Sequence, residues 1–383
     1  MNRPLYPLAL GNFAVGTGMF VTAGLVQPIA HDLDVSPAVA GQIMTVFALS
    51  YAVLSPVLAA LTARLSRKRV LLIGLAVFVA GNVLTALAPA LELVLATRVI
   101  TAVGASMFTP TASAVASALA TQERRGRALA LVMGGLTVST AIGVPLGTLI
   151  GAADWRATLW TVAGLGVIGF LGVALVVPDL RLPASGRIRD RFAPLADPGL
   201  LAVLVTQLLA FAAFFSAYTY LDSLLDVPFV AVLWAFGVGG VAGNHFGGRL
   251  TDAYGPRLMV FLALGSATVL MALIPVANLA LPVALVWAFL WGGLGWLIGP
   301  SQQLRTVAAA PGDVPVALGL LSSAQYVGMF VAGLSGGLAL EWYGRAGVTT
   351  FAVVAGAATV LFTLATYRRP ATQTKVAAAG RRA

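Results

Sequence analysis

Long apolar runs alternate with short polar punctuation along the whole chain. Runs near the length of a membrane-crossing helix, about 20 residues, fall at 6–29, 36–62, 70–89, 92–118, 127–151, 157–178, 199–221, 229–250, 256–278, 280–308, 314–341 and 346–367. The pattern predicts an all-α integral membrane protein with twelve transmembrane helices, since a helix bonds every backbone polar group within its own segment. Gly and Pro interrupt many runs, which is tolerated where neighbouring helices re-satisfy the backbone. One polar stretch breaks the rhythm: PDLRLPASGRIRDRFAPLADPG, residues 178–199. The expected organisation is an N-terminal six-helix bundle (1–178), a linker (179–198), a C-terminal six-helix bundle (199–370) and a basic tail (371–383). MNRP leads straight into the first run, and no cleavable signal is expected.

Composition agrees with that picture. Only 9% of the 383 residues are charged, against about 25% in soluble globular chains, and the mean hydropathy is +0.95. There is no cysteine and there are two histidines, so thiolate metal sites and disulfides are excluded, and no metal or cofactor is expected. No paired carboxylates or His/Asp sets lie at a common depth, which argues against an enzyme. No glycine-rich phosphate loop is present, which argues against ATP as the energy source.

The net charge of +10 is distributed as a topology signal. If the N-terminus is inside, alternate loops and the tails hold 20 of the 23 Lys and Arg, the opposite loops hold Arg156 and Arg345, and Arg98 falls within a run. That asymmetry predicts a multi-pass protein of the cytoplasmic membrane with both termini in the cytoplasm. It is not the continuous basic face that nucleic acid requires.

The two halves repeat. LTARLSRKRV (61–70) and LTDAYGPRLM (250–259) align without gaps, placing Ala63 on Asp252, and Gly147 falls on Gly336 at the same offset of 189. Two matches at one offset indicate a duplicated six-helix unit. With these features the chain resembles, over essentially its whole length, the major facilitator superfamily, in its twelve-helix drug:proton antiporter branch with arabinose- and chloramphenicol-efflux relatives.

The resemblance implies two pseudo-symmetric six-helix bundles rocking about a central site. The family's signature between its second and third helices is Gly, three residues, Asp-Arg, one residue, Gly, then basic residues. The second half matches it with Gly248, Asp252, Gly255 and Arg257, apart from Ala253. The first half has Ala59, Ala63, Arg64, Ser66, Arg67 and Lys68, without the aspartate. The implied role is a cytoplasmic latch using Arg64, Asp252, Gly255 and Arg257, with Arg67, Lys68 and Arg69 setting topology.

ATRVITAVGASM (96–107) resembles the family's fourth-helix motif, and an arginine inside a span, here Arg98, is by default a functional candidate. GGLTVSTAIGVPLGTLIG (134–151) resembles the antiporter signature of helix five; Gly143, Pro145, Gly147 and Gly151 lie on or near one face, the implied seam between the halves. Val144 separates the usual Gly-Pro pair. By the same resemblance helices one, four, seven and ten line the cavity. The expected substrate contacts are Asn12, Met19, Phe20, Gln27, Arg98, Gln207, Phe211, Phe214, Phe215, Tyr218, Trp287, Trp291, Trp296 and Gln302.

The chain departs from its relatives in two places. Helix one has no acid near Met19, and the connection Asp226-Val227-Pro228 is short. Asp222 and His245 are then the proton-coupling candidates. The expected function is proton-coupled export of small amphipathic compounds, neutral or weakly charged given the acid-poor cavity. A sugar or metabolite exporter of the same fold, an uncoupled facilitator and a non-transporting sensor are the alternatives. The expected partners are substrate, protons and bilayer, around a monomer.

Overall fold

The computed structural model describes residues 3–121, 124–181, 193–310 and 314–367. Most of the linker and the basic tail, with Arg187, Arg189, Arg191, Arg368, Arg369, Lys375, Arg381 and Arg382, lie outside the described residues.

No strand occurs among the described residues. α1 (Leu5–Phe20) and α2 (Thr22–Asp32) form one path bent by 46°. α3 (Gln42–Leu61), α4 (Arg67–Leu87), α5 (Leu91–Leu119), α6 (Arg125–Val138), α7 (Val144–Gly151) and α8 (Trp155–Val176) complete the first half. The second half holds α9 (Pro198–Thr219), α10 (Phe229–Ala272), α11 (Leu281–Trp296), α12 (Ile298–Ala309) and α13 (Val314–Thr366). Among the described residues, up to ten paths are long and apolar enough to cross a bilayer, counting α1–α2 as one.

Two of those paths are double length. α10 has 44 residues and breaks once at Gly255 (φ 82°, ψ 152°); α13 has 53 and breaks once at Gly344 (φ 62°, ψ −154°). Only glycine enters that backbone region freely. The breaks fall at the two sequence positions expected as turns, so each long helix consists of two arms. Polar side chains cap other starts: Asp154 accepts from the Arg156 N–H, and Asp197 from that of Leu200 behind Pro198, satisfying donors that a helix start leaves free.

The helices pack mainly within halves: α4 on α5 and α8, and α1 on α6 and α8; then α9 on α13, and α10 on α11. Small residues permit this. A Cβ at Gly243 of α10 would stand 1.9 Å from the Gly293 carbonyl oxygen of α11, so the two backbones touch. The duplication is visible in the packing. Gly147 faces Val21, in the first helical path of its half, and Gly336 faces Ser216 and Tyr220, at the first path of the other.

Pro145 is accommodated by a local change of winding. Its ring removes a donor and crowds the carbonyl four residues back, and the five residues before α7, Ser139–Gly143, form a π turn. Such widened turns let a helix continue past a misfit.

Candidate functional site

Arg64, Arg67, Lys68, Arg69 and Arg249, beside the breaks between successive runs, mark a basic end; Arg156 and Arg345 mark the far end. The halves meet chiefly through α3 against the first arm of α13, and through the π turn with α6 and α7 against the first arm of α10. Their contacts concentrate from mid-depth to the far end.

The far end is closed by several ties between halves. Gln27 Nε2 donates to Ser223 Oγ at 2.8 Å, and Ser36 Oγ donates to Glu341 Oε2 at 3.0 Å. Gln42 Nε2 donates to the Gly333 carbonyl at 3.3 Å. Tyr220, whose hydroxyl donates to the Gly333 carbonyl of its own half at 2.9 Å, crosses to the other half through the Ala38 carbonyl, 3.3 Å from that hydroxyl, and through its ring, which presses on Gly41. At roughly 1 kcal/mol net for each hydrogen bond, these ties bias a two-state equilibrium without locking it. The short connection after Asp226 is pinned as well. Its backbone N–H bonds to Asn278 Oδ1, and its carboxylate pairs with Arg345 at 2.6 Å.

At mid-depth the seam is aromatic. Phe20 of α1 lies 6.1 Å from Phe215 and 6.3 Å, edge-on, from Trp296. Behind them Phe214 packs at 4.7 Å on Trp291, Phe236 at 5.3 Å on Trp291, and Tyr218 at 5.2 Å on Phe236. Tyr51 of α3 stacks on Tyr326 of α13 at 3.7 Å. Buried polar groups flank this pair: Thr109 donates to Asn12 Oδ1 at 3.0 Å, and the Tyr326 hydroxyl reaches Met19 Sδ at 3.7 Å. Tyr51, Thr109, Tyr326, Tyr220 and Ser223 are the residues that the sequence reading missed. Their only signal was a polar tip inside an apolar run.

At the basic end the expected latch is not formed. Arg64 and Asp252 are both exposed, and neither makes an ion pair or hydrogen bond among the described residues. Arg257 lies over the ring of Tyr367 at 5.5 Å, with Arg305 over the same ring at 4.8 Å. The physical reason is separation: Asn244 of α10 to Thr137 of α6, 3.2 Å, is the tie between halves nearest that end among the described residues.

Other expected site residues sit elsewhere. Asn12 is fully buried with both amide ends used, donating to Val132 and accepting from Thr109; it struts α1 to α6 and α5 instead of facing substrate. Gln27 belongs to the far-end closure. Gly143 and Gly147 do not join the halves: a Cβ there would strike Thr17 and Val21 of the same half. The helix-five side of the seam is Thr140 and Ala141, against which Gly237 of α10 presses with room for no Cβ, 2.3 Å from the Thr140 oxygen.

Arg98 is fully buried inside the N-terminal half. It donates to the Gly18 carbonyl at 2.9 Å and lies 5.0 Å from the centre of the Phe47 ring. Trp287 donates to Leu270, and Gln302 bonds Val203 and Arg305, all within the C-terminal half. Gln207 Oε1, the Tyr218 hydroxyl and Trp291 Nε1 are buried without a partner among the described residues. His245 is exposed, its ring edge-on to Phe246.

Asp222 lies past the end of α9, in a far-end cleft of about 490 Å³ with Gln27, Ser223, Glu341 and Arg345. Burial raises its carboxyl above the ordinary value. Asp32, at the end of α2, is held below the ordinary value by the Trp155 indole N–H and by Arg156.

These features, a helical chain in two repeated halves around an apolar seam, define a membrane transporter class, and the comparisons agree. The family model described as the Major Facilitator Superfamily matches residues 8–313. The chain belongs to that family. It is 31% identical over 353 residues to the uncharacterized MFS-type transporter YbcL of Bacillus subtilis (strain 168), covering 90% of each chain. It is 34% identical over 342 residues to a chloramphenicol resistance protein of Streptomyces lividans, covering 86% of each. Among solved structures, a point mutant of the nucleoside transporter NupG superposes with a TM-score of 0.77 at 15% identity, covering 95% of this chain and 98% of that one.

Proposed function

We propose that this transporter exports small amphipathic compounds across the cytoplasmic membrane, in exchange for protons, by alternating access, with the basic end in the cytoplasm. The observation that carries the proposal is the aromatic seam of Phe20, Phe215, Trp296, Phe214 and Trp291: it lies below a tied far end and has no carboxylate among its members. Such a lining suits an apolar, uncharged or weakly charged ligand. The resistance protein among the relatives supports the direction of transport. In this arrangement the conformation is the one that loads substrate from the cytoplasm.

Opening the far end breaks the ties at Ser223, Glu341 and Tyr220, and a latch at Arg64, Asp252 and Arg257 forms as the basic ends approach. Asp222 lines the far-end cleft in the closed state and exchanges its proton with that side, so it senses pH for the closure. A carrier of the exchanged proton has to face both sides in turn. Everted vesicles with an acidified interior and a pH-sensitive dye test the whole. Neutral phenyl-bearing amides, lipophilic cations and pentoses are added singly, to the parent and to Asp222→Asn, His245→Gln and Asp252→Asn. Substrate-triggered proton efflux is expected for the neutral amides. Labelled amide that equilibrates without moving protons marks a facilitator and sinks the antiport proposal.

A further inference from the structure

Beside the seam, within the C-terminal half, α9, the second arm of α10, α11, α12 and the second arm of α13 line a cavity of about 40 Å³. Small side chains keep it open: Ala210, Ala213, Ala263 and Ala267 line it where leucine elsewhere fills a core. On the scale where one water takes roughly 10–15 Å³, it has room for about three waters, or for one small ring or branched alkyl group. Its wall is overwhelmingly apolar, and apolar cavities of this kind stay dry and accept apolar guests. An extended acyl chain is too long for it.

The partition between this cavity and the seam is a single layer formed by two side chains. Phe215 and Trp296 line the cavity on one side, and both rest against Phe20 of the other half on the other side. The Trp296 indole N–H is buried and has no hydrogen-bond partner among the described residues, leaving a free donor on a residue of the cavity wall. Trp296 is set against Gly240, where a Cβ would stand 2.9 Å from its ring, so its position depends on that glycine.

We infer that this cavity is an apolar subsite that receives the phenyl or branched-alkyl end of the transported molecule, entered from the seam past Trp296, whose N–H meets an acceptor on the same molecule. The inference rests on the export reading for the identity of the guest. The cavity itself is testable without transport.

The protein in nanodiscs is titrated with bromobenzene, a ring of the right size whose heavy atom quenches tryptophan. A saturable quench is expected, reduced in amplitude in Trp296→Phe and abolished in Ala267→Leu, which fills the space. Ala213→Ile provides a second filled variant if the first does not fold. Quenching that rises linearly, as for partition into lipid, or that saturates equally in both filled variants, overturns the subsite. In vesicles, filling the cavity is expected to raise KM for a phenyl-bearing amide about tenfold, the scale of a lost apolar contact, and to leave a ring-free amide unchanged. Equal carriage of both by the filled variants defeats the inference alone. Loss of proton-linked export with the saturable quench intact defeats the export reading alone.

Discussion

A methyl group added at Gly41 should open the far end. Gly41 precedes α3 in the N-terminal half, and its ideal Cβ would lie 2.4 Å from Cε1, 2.5 Å from Oη and 2.6 Å from Cζ of Tyr220. Ordinary contact begins near 3.4 Å, so ring and backbone must part by about 1 Å. Tyr220 has 0% exposure and its hydroxyl is held by Gly333, so the ring has nowhere to go while the ends stay together. Overpacking of this kind costs roughly 1–3 kcal/mol, and it is charged only to the closed conformation. That shifts the open/closed ratio by roughly 5- to 150-fold.

The chain has no cysteine, so a single introduced thiol reports without background. Thr45→Cys suits this: residue 45 is 4% exposed, pressed against Gly333 of the other half, and its hydroxyl has no hydrogen-bond partner to lose among the described residues. Labelling by an impermeant maleimide from the far side should speed up in Gly41→Ala by the factor above. In a Tyr220→Ala background the same substitution should change nothing further, because its collision partner is gone. Unchanged labelling in Gly41→Ala, or an equal effect in both backgrounds, would refute the Tyr220–Gly41 contact as a closing element.

Other expectations can be checked the same way. Asp222 has its carboxyl raised above 3.8 by burial when the far end is closed. A group raised in one state favours that state fully below its ordinary value, and the benefit is lost as pH climbs through the raised one. Acidifying the far side should therefore slow labelling at Thr45→Cys; Asp222→Asn should flatten that dependence, and Glu341→Gln, in the same cleft with Arg345, should not. Gly255→Ala, at φ 82° with open space around it, should lose roughly 1–3 kcal/mol from backbone strain alone, read as a lower Tm. Gly248→Ala nearby should leave Tm unchanged. Asn12→Ala should cost roughly 1–3 kcal/mol by orphaning buried partners, with a fall in Tm and no change in KM.

What could be read from the sequence was whatever depends on length, order and local backbone. Apolar runs marked the helices because lipid offers the backbone no other partners. Gly255 was legible because a turn between adjacent runs needs a conformation that other residues avoid, and the common offset of 189 residues that pairs Ala63 with Asp252 exposed the duplication. The resemblance to the family rested on the motifs at 248–257, 96–107 and 134–151. Which way a side chain points was not legible. A helix apolar on every side carries no stripe to show its inward face, so Gly143 and Gly147 pass for a seam between halves when they pack on Thr17 and Val21. For the same reason Asn12 passes for a ligand contact when it is a strut, and Tyr51 and Tyr326, far apart in the chain, show no sign of stacking. The tertiary structure alone decided those pairings and the small-residue cavity beside Trp296, because they depend on how two helices are rotated against each other. Close packing fixes that rotation only once all the neighbours are in place.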